Sequence, residues 1–258
     1  MRISGRSQGF LWSAASMALV IVVWEAIVRL FRIPVYLLPG PAYVVAAVGE
    51  HWRSLVSQSV VTMAEVLAGF LAAALVAIPL AMLVVVSPVL ERLIYPPMVA
   101  TQSIPKIALA PLFIVWFGFG TTPKVAVAFL ISFFPIVVDT IVGLRSIDPA
   151  MVQLARSMGA PPYRIFLRLR LPNALPSVFA GLKVASTLAV VGALTGEFIG
   201  SDRGLGYVLL QSSAQLNTPL LFATLVTLSL LAMAFFFVVE SVERLLIPWH
   251  VSQRARPS

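Results

Sequence analysis

Cysteine is absent from the 258 residues. That excludes disulfides and thiolate metal sites and leaves the redox compartment open. Charge is scarce as well: 11% of residues are ionic, against roughly 25% in an ordinary soluble domain. Size alone allows one water-soluble domain, but too few charged side chains are present to cover its exterior. The two histidines, His51 and His250, have no Cys, Asp or Glu near them at metal-ligand spacing. No Gly-x-x-x-x-Gly-Lys-Ser/Thr phosphate cradle occurs, so any ATP that drives this protein must be hydrolysed on another chain. The sequence offers no catalytic residue, metal site or cofactor of its own.

Apolar surface is abundant. Hydrophobic residues make up 60% of the chain and mean hydropathy is +0.98, so a bilayer is the natural solvent for its exterior. Six candidate spans are read at 10–30, 60–86, 94–117, 124–143, 176–196 and 219–247, each near the ~20 residues needed to cross a hydrocarbon core about 30 Å thick. Gln102, Ser103 and Lys106 interrupt the third, and Lys183 lies in the fifth. Runs such as Leu67–Val86 and Val125–Val138 are apolar on every face, with none of the alternation of a barrel strand. The expected class is therefore an all-α polytopic membrane protein, with Pro79, Pro111 and Pro135 bending their helices. Phe10–Leu30 is long enough to span, and no small-residue cleavage motif follows it, so it reads as a span rather than a cleavable signal.

The net charge of +8 belongs to short segments between apolar runs, which favours membrane orientation over nucleic-acid binding. With six spans both termini share a side. Arg2, Arg6, Arg92, Arg145, Arg156, Arg164, Arg168, Arg170, Arg244, Arg254 and Arg256 then lie together, against Arg29, Arg32, Arg53, Lys124 and Arg203 opposite. The positive-inside rule puts the larger group in the cytoplasm. This gives cytoplasmic tails at 1–9 and 249–258, a transmembrane domain at 10–248 and a long cytoplasmic loop at 144–175.

That loop reads as two short helices. Asp148 is a good N-cap and Pro149 suits the first turn, so a helix should run from about 149 to 158 and end at a left-handed Gly159. Pro161 and Pro162 restart the chain for a second helix over 162–170, with Arg164 and Arg168 on one face, and Pro172 closes the unit. Helices this short are marginal alone and need a surface. A soluble protein that receives Met151, Leu154, Met158 and Tyr163 is one such surface; the anionic headgroup layer is another.

Gln153-Leu154-Ala155-Arg156-Ser157-Met158-Gly159, followed nine residues later by Leu169-Arg170-Leu171-Pro172, resembles the cytoplasmic signature of binding-protein-dependent ABC importer permeases. The glycine and the Leu-Pro fall in register, while Gln153 stands where that signature has glutamate and Leu154 where it has its first alanine. Ile104–Gly118 and Gly196–Tyr207 are similar to segments of the nitrate/sulfonate/taurine-type branch, so the likeness covers roughly 35–248. The resemblance implies a second copy of the permease or a close pair, an extracytoplasmic solute-binding protein, and two cytoplasmic ATPases that carry ATP and Mg and receive the loop in a groove. It makes Gln153, Leu154, Ala155, Arg156, Met158, Gly159, Leu171 and Pro172 the candidate ATPase-coupling residues, in a bacterial inner (plasma) membrane. The solute it implies is a small polar or anionic one such as nitrate, a sulfonate or taurine, with pyrimidine or riboflavin-like precursors as the alternative.

Ionisable residues within spans are costly against lipid and should face the bundle or a cavity. Gln102, Ser103, Lys106, Lys183, Thr187 and Glu197 are the candidate pathway residues, the lysines attracting an anion. Pairing within the bundle or reaching an interface explains the charges equally; for Glu65, near the outer end of its span, that is the preferred reading. Thr187 and Thr195 can instead bond their own backbone. Phe113, Trp116, Phe117 and Phe119 read as packing aromatics, and Trp24 and Trp249 as interface anchors. Glu197, Asp202, Arg203, Gly204 and Gly206 are expected in a turn after the fifth span that lines an outer gate or meets a binding protein. A secondary transporter or channel also accounts for spans and polar residues, but not for the two-helix loop; a membrane scaffold accounts for still less.

Overall fold

A computed structural model describes residues 5–248. Ten α-helices follow in order among these residues: α1 (Gly5–Leu30), α2 (Pro41–Val86), α3 (Pro88–Ala100), α4 (Ala110–Phe117), α5 (Thr121–Arg145), α6 (Pro149–Ser157), α7 (Pro162–Ile165), α8 (Leu171–Gly200), α9 (Leu205–Ala214) and α10 (Thr218–Leu246). No strand occurs among them, as the unalternating apolar runs demand. By length and composition four continuous helices can cross a membrane: α2, α5, the stretch 162–200 and α10. The helical pair Pro88–Ser103 and Lys106–Phe117 makes a fifth crossing if taken as one broken span, bent by 90°. α1, with 26 residues, is about 39 Å long at 1.5 Å per residue. Arg2, Trp249, His250, Arg254 and Arg256 lie outside the described residues.

The core is α5 against α8, with α2 and α10 packed around them. Small residues make this possible. A Cβ on Gly192 would stand 2.6 Å from the Cα of Ala128, and one on Gly196 2.7 Å from the Cα of Lys124, so the α5 and α8 backbones approach as only glycine allows. Lipid offers no hydrophobic drive for helix association, and such close contact supplies it by dispersion. Ala73, Ala77, Ala128, Ala185, Ala189 and Ala193 are fully buried beside these glycines.

Several expectations need correction. The helix that carries the span at 60–86 begins earlier, at Pro41, where proline at the first turn needs no N–H partner; its first half carries Glu50, His51 and Arg53 and is too polar for lipid. Pro111 does not bend a helix but starts α4, because the third span breaks at Pro105. The second loop helix is not closed by Pro172. Instead 162–170 runs straight into α8 through a π-helical turn over Phe166–Arg170, and Leu171 N–H donates to the Phe166 carbonyl five residues back. The wide turn absorbs the proline, which has no N–H to offer the preceding turn. Glu197 lies inside α8, not in the turn after it, and the ten-residue α9 that follows was not foreseen.

Candidate functional site

At one end of the bundle, where α8 stops and α5 starts, a deeply buried polar network is assembled. Gln58, Thr62 and Glu65 occupy one stripe of α2, four and three residues apart. Thr62 Oγ1–H donates to Glu197 Oε1 at 2.6 Å and accepts from Leu205 N–H at 2.8 Å. Gly206 N–H donates to Glu197 Oε2, and Gly204 N–H donates to Gln58 Oε1 at 2.6 Å. Lys124 Nζ donates to Glu65 Oε1 at 2.8 Å and to Ser201 Oγ at 2.6 Å. The carboxylate of Glu197 thus accepts at the N-terminus of α9, whose first N–H groups lack intrahelical partners.

The two glycines of the turn are explained by this carboxylate. Gly204 has φ +101°, in the region that favours glycine, and a Cβ there would overlap the Glu197 carboxyl. A Cβ on Gly206 would stand 2.7 Å from Glu197 Oε2. Asp202 and Arg203 stay outside, 3.3 Å apart and well exposed; the Asp202 carboxyl is held below its usual range by its own backbone N–H and then by the Arg203 guanidinium.

The remaining candidate pathway residues are scattered. Gln102 and Ser103 are exposed on the 3₁₀ turn before the 90° bend. Lys106, just after it, holds its ammonium 5.1 Å from the centroid of the Phe134 ring on α5. Lys183 on α8 pairs with Glu243 on α10 at 2.7 Å. Thr187 is exposed on α8 in one stripe with Val184 and Val191, its hydroxyl bonded to the Val184 carbonyl at 2.8 Å; Thr195 likewise donates to Val191. Among the described residues none of the six candidates bonds to another. Glu197 and Lys183 are both engaged inside the bundle.

Sequence reasoning missed two partners. Lys124 reads from sequence only as one of the basic residues on the outer side, yet it is 3% exposed; the signal available was the polar stripe 58–62–65 on α2, which needs a donor opposite it. Glu243 stood unremarked at the end of an apolar run. Trp24 packs on Phe222 at 5.9 Å. Phe113 packs against Trp116 and Phe117, at 5.9 and 6.1 Å, while Phe119 is 80% exposed.

At the other end, the loop helix forms as its caps require. Asp148 accepts from Ala150 N–H at 2.8 Å, and Gly159 ends the turn at φ +80° with open space about it. Met158 is 79% and Leu154 62% exposed. A shallow cavity of about 330 Å³ is lined by Ala155, Met158, Gly159, Arg164 and Arg168. Gln153 and Arg156 are exposed beside it, and Leu171 and Pro172 begin α8.

Residues 66–249 match the binding-protein-dependent transport system inner membrane component family. The chain belongs to this family. As a permease it is 39% identical to the formylaminopyrimidine transport permease ThiX of Halalkalibacterium halodurans, over 91% of its own length and 94% of the relative's. It is 36% identical to the riboflavin transport system permease RibX of Chloroflexus aurantiacus (95% and 94% covered) and 25% identical to the taurine transport system permease TauC of Escherichia coli (92% and 89%). The taurine relative supports the branch read from Ile104–Gly118 and Gly196–Tyr207. The fold matches a chain of the inward-facing MetNI methionine ABC transporter with TM-score 0.67 at 22% identity, over 76% of the permease and 97% of that chain.

Proposed function

We propose that this permease is the non-catalytic transmembrane subunit of an ATP-driven importer in a bacterial inner membrane. It has six spans, α1 and the broken pair included, and both termini are cytoplasmic. It works as a pair with a second copy, receives solute from an extracytoplasmic binding protein, and is driven by two cytoplasmic ATPases that hold ATP and Mg. Nucleic acid has no part in this.

One observation carries the reading: α7, the second helix of the exposed projection, runs unbroken into a helix long enough to cross the membrane. From Pro162 to Gly200 the helix is unbroken, so a displacement that closing ATPases impose on α6, carried to α7 across the short link 158–161, would be passed along α8. The π turn at Phe166–Arg170 is the place where that motion can change register. Alternating access follows if the bundle has two packings whose balance ATP binding shifts. Gln153, Leu154, Ala155, Arg156, Met158 and Gly159 would meet the ATPase, with Leu171 and Pro172 as the root of the lever.

For the solute, the same proposal favours a neutral pyrimidine-type or related heterocycle over a sulfonate. Two relatives above 35% identity are named for formylaminopyrimidine and riboflavin, the taurine relative is at 25%, and Lys183 already has its counter-charge in Glu243. An anionic solute is the second reading, supported by Lys106, which faces a ring rather than a carboxylate. Gln102, Ser103 and Thr187 are the polar groups left open to either.

The test is co-purification with the ATPase and ATP-dependent uptake in proteoliposomes. Met158→Glu and Gly159→Trp should abolish both while the permease still folds and pairs. Uptake and ATPase association unchanged in both variants would show that the loop is not the transmission element, and flux driven by an ion gradient with no ATPase present would favour a secondary transporter.

A further inference from the structure

The coupling projection has a second face. Its outer cavity is lined by Arg164 and Arg168, but the side turned toward α2 carries a larger one, about 680 Å³, between Val85 and Val86 and the residues Arg156, Tyr163, Phe166 and Arg170. A neighbouring cavity of about 300 Å³ shares both Arg156 and Arg170 and adds Arg145 and Gln153. Arg145 is paired with Glu91 at 2.7 Å. The six ion pairs among the described residues use neither Arg156 nor Arg170. Two guanidinium groups of one sign therefore border a concave, mostly apolar wall.

We propose that Arg156 and Arg170 hold the phosphate of an anionic phospholipid of the inner leaflet, with an acyl chain lying along the end of α2. Charge selects an anion, and bidentate guanidinium geometry suits phosphate. The apolar wall selects a lipid over a free ion. Val86 is 63% and Leu167 56% exposed beside the arginines, and the exposed apolar surface continues up α2 through Leu83 at 55%, which is a track for a chain rather than for a soluble anion. The helix itself separates the two sides: Arg168 and Arg170 are two residues apart and do not share a face, so Arg168 lines the cavity with Arg164, Met158 and Gly159 while Arg170 lines the one against α2. A lipid there would brace the base of the projection and share Arg156 with the ATPase-facing side, leaving Met158 and Gly159 uncovered. The inference rests on the cytoplasmic placement of 144–175 proposed above.

The assembled transporter, permease with its ATPases, is reconstituted in bilayers of mixed phosphatidylcholine and phosphatidylglycerol, re-extracted, and its retained lipids counted by native mass spectrometry. The wild type should retain phosphatidylglycerol selectively. Arg170→Gln should lower that retention about fivefold, the factor that one interfacial basic residue contributes, and Arg170→Lys should keep most of it. Val86→Asp, which leaves the arginines intact and spoils the chain track, should lower it too. Equal retention of the two lipids by wild type, or unchanged retention in both Arg170→Gln and Val86→Asp, overturns the proposal. So does inorganic phosphate displacing the lipid completely, which marks a small-anion site, or loss of the ATPase from Arg170→Gln with lipid retention unchanged, which marks a protein contact. Failure of the wild-type permease to bind an ATPase at all would instead count against the proposed function, and is read separately from lipid retention on the permease itself.

Discussion

Lys124 Nζ lies 2.8 Å from Glu65 Oε1, with their side chains 3% and 2% exposed, joining the start of α5 to the middle of α2. The pair is enclosed by the bundle rather than solvated, and its lysine also anchors Ser201 at the end of α8. Three elements are therefore fastened at a single ammonium group.

Removing one member of such a pair leaves the other charge buried without a partner, at a cost of about 3–5 kcal/mol. Lys124→Met should accordingly lower the thermal stability of the purified permease sharply, whereas the double replacement Lys124→Met with Glu65→Leu should recover much of the loss. A double-mutant cycle in detergent or nanodiscs measures the coupling. Additive single effects would show that the pair contributes little beyond packing.

Gly204 and Gly49 make opposite predictions for the same substitution. Gly204→Ala places a Cβ in a backbone conformation with φ +101° and against the Glu197 carboxyl, so it should destabilise by more than about 1 kcal/mol and loosen residues 201–207. Gly49 lies within α2 with nothing within 4 Å of its added Cβ, and Gly49→Ala should stabilise by about 0.5–1 kcal/mol. Hydrogen exchange at the α8–α9 turn, together with thermal melts, separates the two; equal melting shifts in both variants would refute the account of Gly204.

Lys183 and Glu243 meet at 2.7 Å between α8 and α10. Lys183→Glu or Glu243→Lys alone should depress stability and uptake, and the reciprocal exchange should restore at least half of either. If Lys183 serves the solute directly, the exchanged pair will instead remain as inactive as Lys183→Glu alone, with folding recovered.

Lys106 distinguishes the two solute readings. Lys106→Gln removes the ammonium over the Phe134 ring. For an anionic solute the uptake KM should rise about tenfold, a loss of about 1.4 kcal/mol, while for a neutral heterocycle it should change less than twofold. Uptake of radiolabelled taurine and of a formylated aminopyrimidine by the same variant gives both arms.

Parts of this were readable without coordinates because they depend on neighbours in the chain. Asp148-Pro149 and Gly159 set where that helix starts and stops, since cap, proline and left-handed glycine each act within one turn. The extent of α8 was not readable in that way. Pro172 reads locally as a stop, and only the π turn, supported by packing of α8 on α5, allows the helix to continue through it.

Composition and periodicity by themselves determined that this chain is helical, belongs in a bilayer and carries an exposed arginine-rich projection, because those properties follow from the solvent each stretch can tolerate. Tertiary structure alone decided that Lys124 is buried against Glu65 and Ser201, that Glu197 binds the start of α9, and that Arg156 and Arg170 border one cavity. Each of these joins residues brought together only when helices pack, and the burial that gives such a polar contact its energy exists only after they have done so.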